Sequence, residues 1–153
     1  MKSLPPSSLP AWLLAAALLS APAASAWANE RSGVFKNMNG EVSVLRGTQR
    51  LPAVPGAALR EGDRVVTGPN SAAAVTLRDG TVLSVGPNAS LDLTHYSFDS
   101  TSQNGSLLMN LLQGTVRVVT GLLGQTNPEL VKLTTPTAII GVRGTDFIVE
   151  ATQ

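Results

Sequence analysis

The sequence predicts an all-β fold: one small domain built as a β-solenoid-like stack of short strands, with a β-sandwich or barrel as the alternative. Three observations predict it. Apolar and polar residues alternate in short runs, the period of a half-buried strand. Clusters of Gly, Pro, Asn and Asp break those runs at close intervals, as turns between strands do. Turn sequences also return at a fixed spacing: Gly68-Pro69-Asn70 recurs as Gly86-Pro87-Asn88, and Gly62 and Gly80 keep the same offset. Like turns at a regular interval suit stacked coils, each burying its apolar face on the next.

The strands follow in order. Glu41 to Leu45 alternates around Val42 and Val44, and Arg64 to Thr67, Ala73 to Leu77, Thr81 to Val85 and Leu91 to Leu93 come at close spacing. Leu107 to Leu112, Thr115 to Thr120, Leu130 to Leu133 and Thr145 to Ala151 complete the set. Leu107 to Leu112 has no alternation, but its length and the Gly114 beyond it favour a buried strand over a helix. Pro55-Gly56, Gly62-Asp63 and Asp79-Gly80 mark turns, and Asp-Gly between alternating runs is a hairpin cue. Ser97 to Ser106 is polar, without period, and reads as a loop. Gly-Thr at 80, 114 and 144, and Val-Val-Thr-Gly at 65 to 68 and 118 to 121, are fainter echoes.

Residues 1–28 form a different unit. Met1 and Lys2 give a positive end, Ala11 to Ala21 is apolar without a charge, and Ala24-Ser25-Ala26 and Ala26-Trp27-Ala28 supply two A-x-A sites. That order is a cleavable signal peptide, cut after Ala26 or Ala28, and it predicts a periplasmic or secreted protein. A membrane anchor would need about 20 apolar residues; stretching the run that far brings in Pro10, Ser20, Pro22 and Ser25. Of the 11 Lys and Arg, only Lys2 leaves with the signal, so 10 remain against 10 Asp and Glu. A mature net charge of zero with no basic cluster argues against nucleic acid, whose binding rests on phosphate neutralisation. With no cysteine, the exported domain must hold itself by packing rather than disulfides.

Catalytic constellations are missing from the sequence. His95 is the one histidine, at the edge of the polar loop, and without cysteine it makes no zinc site of the usual kind. No G-x-S-x-G elbow occurs, and Gly121-Leu122-Leu123-Gly124 lacks the Lys-Ser/Thr of a phosphate loop. Asp63, Asp79, Asp92 and Asp146 are scattered singly, and Asp63 and Asp79 adjoin Gly62 and Gly80, where turn capping accounts for them. The expectation is a non-enzyme with no cofactor and no metal.

The densest segment is Thr134 to Val149. Pro136 fixes a bend, and Gly141 and Gly144 bracket Val142-Arg143 among Ile139, Ile140, Phe147 and Ile148. Two readings of Arg143 stand side by side: a surface residue on a turn, or a buried guanidinium tying rungs together through carbonyls.

These residues resemble the FecR domain, the periplasmic module named after the regulator of iron-dicitrate transport. Gly40 to Val44 is similar to its opening strand, and Pro55 to Gly68 to its G-x-x-L-x-x-G-D-x-V-x-T block, with Gly62, Asp63 and Thr67 as motif residues. Asp79-Gly80-Thr81, Gly114-Thr115-Val116 and the T-P-x-A-x-x-G-V-R-G-T-x-F element follow; the last holds Pro136, Gly141, Val142, Arg143, Gly144, Thr145 and Phe147. The resemblance covers 33–150. It implies a solenoid-like β-domain whose motif residues hold the fold, working through contact with an envelope or periplasmic protein. Family members that regulate sigma factors add a cytoplasmic segment and a membrane span. A signal peptide starting at Met1 leaves no room for that segment, so the expectation is a stand-alone exported module with no membrane attachment after cleavage. The alternatives are an oligomerising scaffold, or a membrane-anchored signalling subunit if residues 9–28 stay uncleaved.

Overall fold

A computed structural model describes residues 2–3 and 31–152. The predicted signal segment and its cleavage residues Ala26 and Ala28 lie outside the described residues. Among those described, no helix is long and apolar enough to cross a membrane.

Twelve strands form an open sheet curled into a half-barrel. They are β1 (Gly33–Asn39), β2 (Val42–Arg46), β3 (Gln49–Pro52), β4 (Ala58–Leu59), β5 (Arg64–Thr67), β6 (Ala72–Leu77) and β7 (Val82–Val85). After them come β8 (Ser90–Phe98), β9 (Gly105–Val119), β10 (Val131–Thr134), β11 (Ile139–Gly141) and β12 (Asp146–Ala151). A five-residue helix, α1 (Leu122–Thr126), and a 3₁₀ turn at Pro128–Leu130 lie between β9 and β10.

The long strand β9 organises the rest. Its first part pairs with β8 and β10, and its last part with β7 and β12. The changeover falls at Gly114, whose φ is +89°. A Cβ there would stand 2.5 Å from both Cα and Cβ of Ala89, so only glycine permits the bend. Two wings therefore share β9, one running β3-β2-β5-β8-β9-β10-β11 and the other β4-β1-β6-β7-β9-β12. Their inner faces enclose one core, with Phe35, Leu83, Leu107, Met109, Leu111, Leu123 and Leu133 all under 2% exposed. Burying each of these residues stabilises the fold by roughly 1.5–3 kcal/mol.

Several expectations change here. A stack of like coils needs parallel neighbours, and among the described residues only β9–β10 is parallel; the other paired strands run antiparallel. The curled sheet lies nearer the barrel alternative. The recurring turn sequence nevertheless has a physical basis, because the two Gly-Pro-Asn turns touch. Asn88 N–H donates to Gly68 O at 3.0 Å, and the Thr67 hydroxyl donates to Gly86 O at 2.6 Å. Asn70 and Asn88 share the left-handed conformation, with φ of +53° and +50°.

The expected strands at Leu107 to Leu112 and Thr115 to Thr120 are one strand, and the expected loop shrinks to 99–104 within a β8–β9 hairpin. Strand β1 was hidden because a bulge between Phe35 and Asn37 breaks its period of two. His95 lies inside β8, beside a second bulge between Leu93 and His95, rather than at a loop edge.

Candidate functional site

The motif residues divide into two groups with opposite surroundings. The first is buried and saturated with hydrogen bonds. Asp63 (1% exposed) accepts from Arg46 Nε at 2.8 Å, from Arg46 Nη2 at 2.7 Å and from the Arg60 N–H at 2.8 Å. Gly62, with φ of +84°, makes the turn that presents it. Asp79 (2% exposed) accepts from the Tyr96 hydroxyl at 2.9 Å, the Thr81 hydroxyl at 2.7 Å, the Thr81 N–H at 3.3 Å and the Leu123 N–H at 3.3 Å. Gly80 has φ of +88°, and the Thr81 hydroxyl also accepts the Gly121 N–H at 3.0 Å. Burial, and then the Asp79 charge, push the Tyr96 phenol above its ordinary range.

The start of α1 thus spends its N–H groups on one aspartate of the β6–β7 turn. Leu122 N–H goes to Asp79 O and Leu123 N–H to the carboxylate, which also complements the positive helix end. Gly121 is required because a Cβ would collide with Asp79 O. The Val-Val-Thr-Gly echo is resolved in the same way. Thr67 staples the turn at Gly86, and Thr120 staples the one at Gly144, its hydroxyl donating to Gly144 O at 3.2 Å and its N–H to Thr145 O at 2.8 Å. Gly114 sets the β9 bend, Thr115 O accepts the Gly86 N–H at 2.9 Å, and Val116 is fully buried.

Asp92 and Asp146 are also committed. Asp92 pairs with both Arg64 nitrogens that face it, and Asp146 with Arg117 Nε at 2.9 Å and Nη2 at 2.5 Å. The Arg117 hydrogen bonds hold the Asp146 carboxyl below the usual range. His95 Nδ1 stands 3.0 Å from Glu61, a partner on a distant segment that no local pattern signals. Both are about half exposed.

The second group lies at the open seam where β11 and β12 end the two wings. Pro136 is exposed in a turn closed by Thr135, whose N–H donates to Ala138 O at 2.8 Å and whose hydroxyl accepts the Ala138 N–H at 3.1 Å. Val142 is buried and bonds to Val131 O at 3.2 Å. Gly141, Arg143, Gly144 and Thr145 are exposed and Phe147 is half-buried. Of the two readings, Arg143 is therefore the surface residue; its guanidinium makes no hydrogen bond or ion pair with the described residues. It stands at the lip of a groove of about 260 Å³ lined by Ile140, Val142, Phe147, Ile148 and Val149. Ile139 (78% exposed) and Ile148 (67% exposed) flank it.

Backbone phase completes the seam. Thr145 O accepts from Thr120, so the odd-numbered residues of this stretch bond inward to β9. Antiparallel alternation then turns the N–H and C=O of Asp146, Ile148 and Glu150 toward the open edge. By the same count from the Val142–Val131 bond, Ile139 and Gly141 turn theirs outward from β11. The opposite edges are blunted. Strand β4 has two residues, while β3 has four, ending in Pro52 and including Arg50.

Comparison with known proteins adds one decisive match. A family model described as FecR protein matches residues 63–153, more than half the chain. The chain belongs to the FecR family. Its FecR region is envelope-associated by family, a signalling-related regulator domain. No curated protein and no solved structure matches this sequence. The matched FecR region starts at Asp63 and leaves out β1 to β4, although these are integral to both wings. Among the FecR motif residues, Asp63, Thr67, Asp79 and Thr81 are buried in hydrogen-bonded turns and Gly114 sits at the β9 bend, whereas Arg143 is exposed. The exposure of Ile139 and Ile148 and the free backbone of β12 are not legible in the sequence, since strand edges depend on pairing that no local pattern reveals.

Proposed function

We propose that the protein is an exported FecR-type β-domain acting as a non-catalytic interaction module of the bacterial envelope, and that it engages its partner by strand addition at the β11–β12 seam. One observation carries this reading: the Thr135 to Phe147 element leaves Arg143 without a partner among the described residues, beside an apolar groove and an open strand edge. An added strand would gain backbone hydrogen bonds from Asp146, Ile148 and Glu150, while the groove would select its side chains. Export rests on the positive, apolar, A-x-A order of residues 1–28. The non-catalytic reading is supported by Asp63, Asp79, Asp92 and Asp146, each already bound to an arginine or to a hydroxyl and amide cluster.

Charge favours a foreign strand over a second copy. Pairing two β12 strands about Ile148 would set Asp146 opposite Glu150 twice, and like charges directly opposed are destabilising. A partner strand with an apolar residue opposite Ile148 and a basic one opposite Glu150 fits, with a carboxylate near Arg143. The oligomerising scaffold is therefore the weaker reading.

The test uses two variants, Arg143→Glu and Ile148→Lys, expressed in the native envelope. Both should keep the wild-type melting temperature and lose co-purification of the envelope partner. Retained co-purification would sink the seam as the contact site. Mass spectrometry should find the mature protein starting at Trp27 or Asn29; an intact residue 1 would contradict export by cleavage.

A further inference from the structure

The tip of the β8–β9 hairpin, residues 99–104, joins the two strands that make the widest pairing in the sheet. It ends in Asn104-Gly105, one of two Asn-Gly pairs among the described residues; the other is Asn39-Gly40. An asparagine followed by glycine can close a five-membered ring, because glycine leaves the attacking backbone nitrogen unhindered. The fold treats the two pairs differently.

Asn104 lies outside regular strand, is exposed, and its side-chain amide makes no hydrogen bond with its neighbours. Its backbone is held by two bonds: its carbonyl accepts from the Asp99 N–H at 2.9 Å, and its N–H donates to Ser102 Oγ at 3.3 Å. That first bond fixes the ladder phase, so Phe98 and Gly105 form a non-hydrogen-bonded pair and the Gly105 N–H points away from β8. The reacting nitrogen is thus outside the β8–β9 ladder. Asn39 is the last residue of β1, in register with Ala72. The next residues are clamped: Gly40 packs against Ser71, whose hydroxyl accepts the Glu41 N–H at 2.9 Å, and Glu41 O accepts the Gly68 N–H at 2.9 Å. Asn39 is exposed as well, but ring closure there must break its pairing with Ala72 and shift Gly40 off Ser71.

We infer that Asn104 is a site of spontaneous deamidation, selected over Asn39 by the fold. The deprotonated Gly105 nitrogen attacks Cγ of Asn104, forming an N–C bond. The bond from Cγ to the amide nitrogen Nδ2 breaks and ammonia leaves, giving a succinimide. Water then opens the ring to aspartate or isoaspartate, with no change of oxidation state. The product places a second carboxylate beside Asp99 in the cleft shared with Arg78 and Tyr96. The isoaspartyl form adds a backbone methylene where Gly105 is packed so tightly on Ser97 that a Cβ would collide with its carbonyl. It also disturbs the bond from the Thr126 hydroxyl to Gln103 O, 2.9 Å, which ties the tip to α1.

The full-length protein is incubated under native conditions at mildly alkaline pH, and again in denaturant. Peptide mass mapping and enzymatic isoaspartate methylation read each asparagine. Native protein should convert Asn104 several-fold faster than Asn39, the rate rising with pH, and denatured protein should convert the two at similar rates. Asn104→Gln should remove the native signal while keeping the fold. Equal native rates, faster conversion at Asn39, or an unchanged ratio in denaturant would each overturn the inference.

Discussion

Replacing Asp79 by alanine tests whether the buried motif residues hold the fold. The carboxylate accepts four hydrogen bonds, from the Tyr96 hydroxyl, the Thr81 hydroxyl and N–H, and the Leu123 N–H. Truncation leaves those donors without partners in a site 2% exposed. Unsatisfied buried donors cost about 1–3 kcal/mol each. Water entering the vacated space and rotation of the two hydroxyls relieve part of that, so the loss should be about 4 kcal/mol. Unfolding entropy of about 2.1 cal/mol/K per residue over roughly 120 residues converts this to about 15 °C in Tm. The assay is thermal unfolding followed by far-UV circular dichroism. Asp146→Ala is the internal comparison: its partner Arg117 is 55% exposed, and a surface pair contributes about 0–1 kcal/mol, or less than roughly 4 °C. An Asp79→Ala protein melting within a few degrees of wild type, or no more destabilised than Asp146→Ala, would refute the reasoning.

Two further outcomes follow from the same packing. Gly114→Ala should fail to fold or lose more than about 3 kcal/mol, since it adds a clash with Ala89 to a left-handed φ; a wild-type denaturant midpoint would remove β9's bend as the organising element. Tyr96 is the sole tyrosine, so its phenolate absorbance reports one group. Its folded pKa is raised, so the folded state holds its proton where the unfolded state has lost it. That contribution is fully present below the unfolded value of about 10 and is lost as pH rises above it. The phenolate band should therefore appear only well above that value in folded protein, and Tyr96→Phe should flatten the alkaline loss of stability; an ordinary titration would place Tyr96 in solvent.

Much of the fold is legible in the sequence where period and turn chemistry agree. Arg64 to Thr67 is a strand with the bounds its alternation predicts, and Gly62, Gly80 and Gly114 all have positive φ. What was hidden depends on other strands. The bulge in β1 erases its alternation, and α1 exists because Asp79, far upstream, receives its first N–H groups. The sequence repeat is real as a pair of stapled turns but does not dictate parallel coils, because Thr67 and Thr120 can fasten turns in antiparallel wings equally well. At the site, residue types in the Thr135 to Phe147 element were readable, but burial was not. A charged residue among apolar neighbours is compatible with either face until the edge position of β11 and β12 is known.

We propose that the Thr135 to Phe147 element is exposed in order to be covered by another protein. A photo-crosslinking residue at position 148 in intact cells tests it most directly, with one at position 36, on the outer face of β1, as the control. A discrete adduct with another envelope protein is expected from position 148, absent from position 36 and lost when Arg143→Glu is added. No adduct at 148, the same adduct from both positions, or one that persists in Arg143→Glu would contradict it.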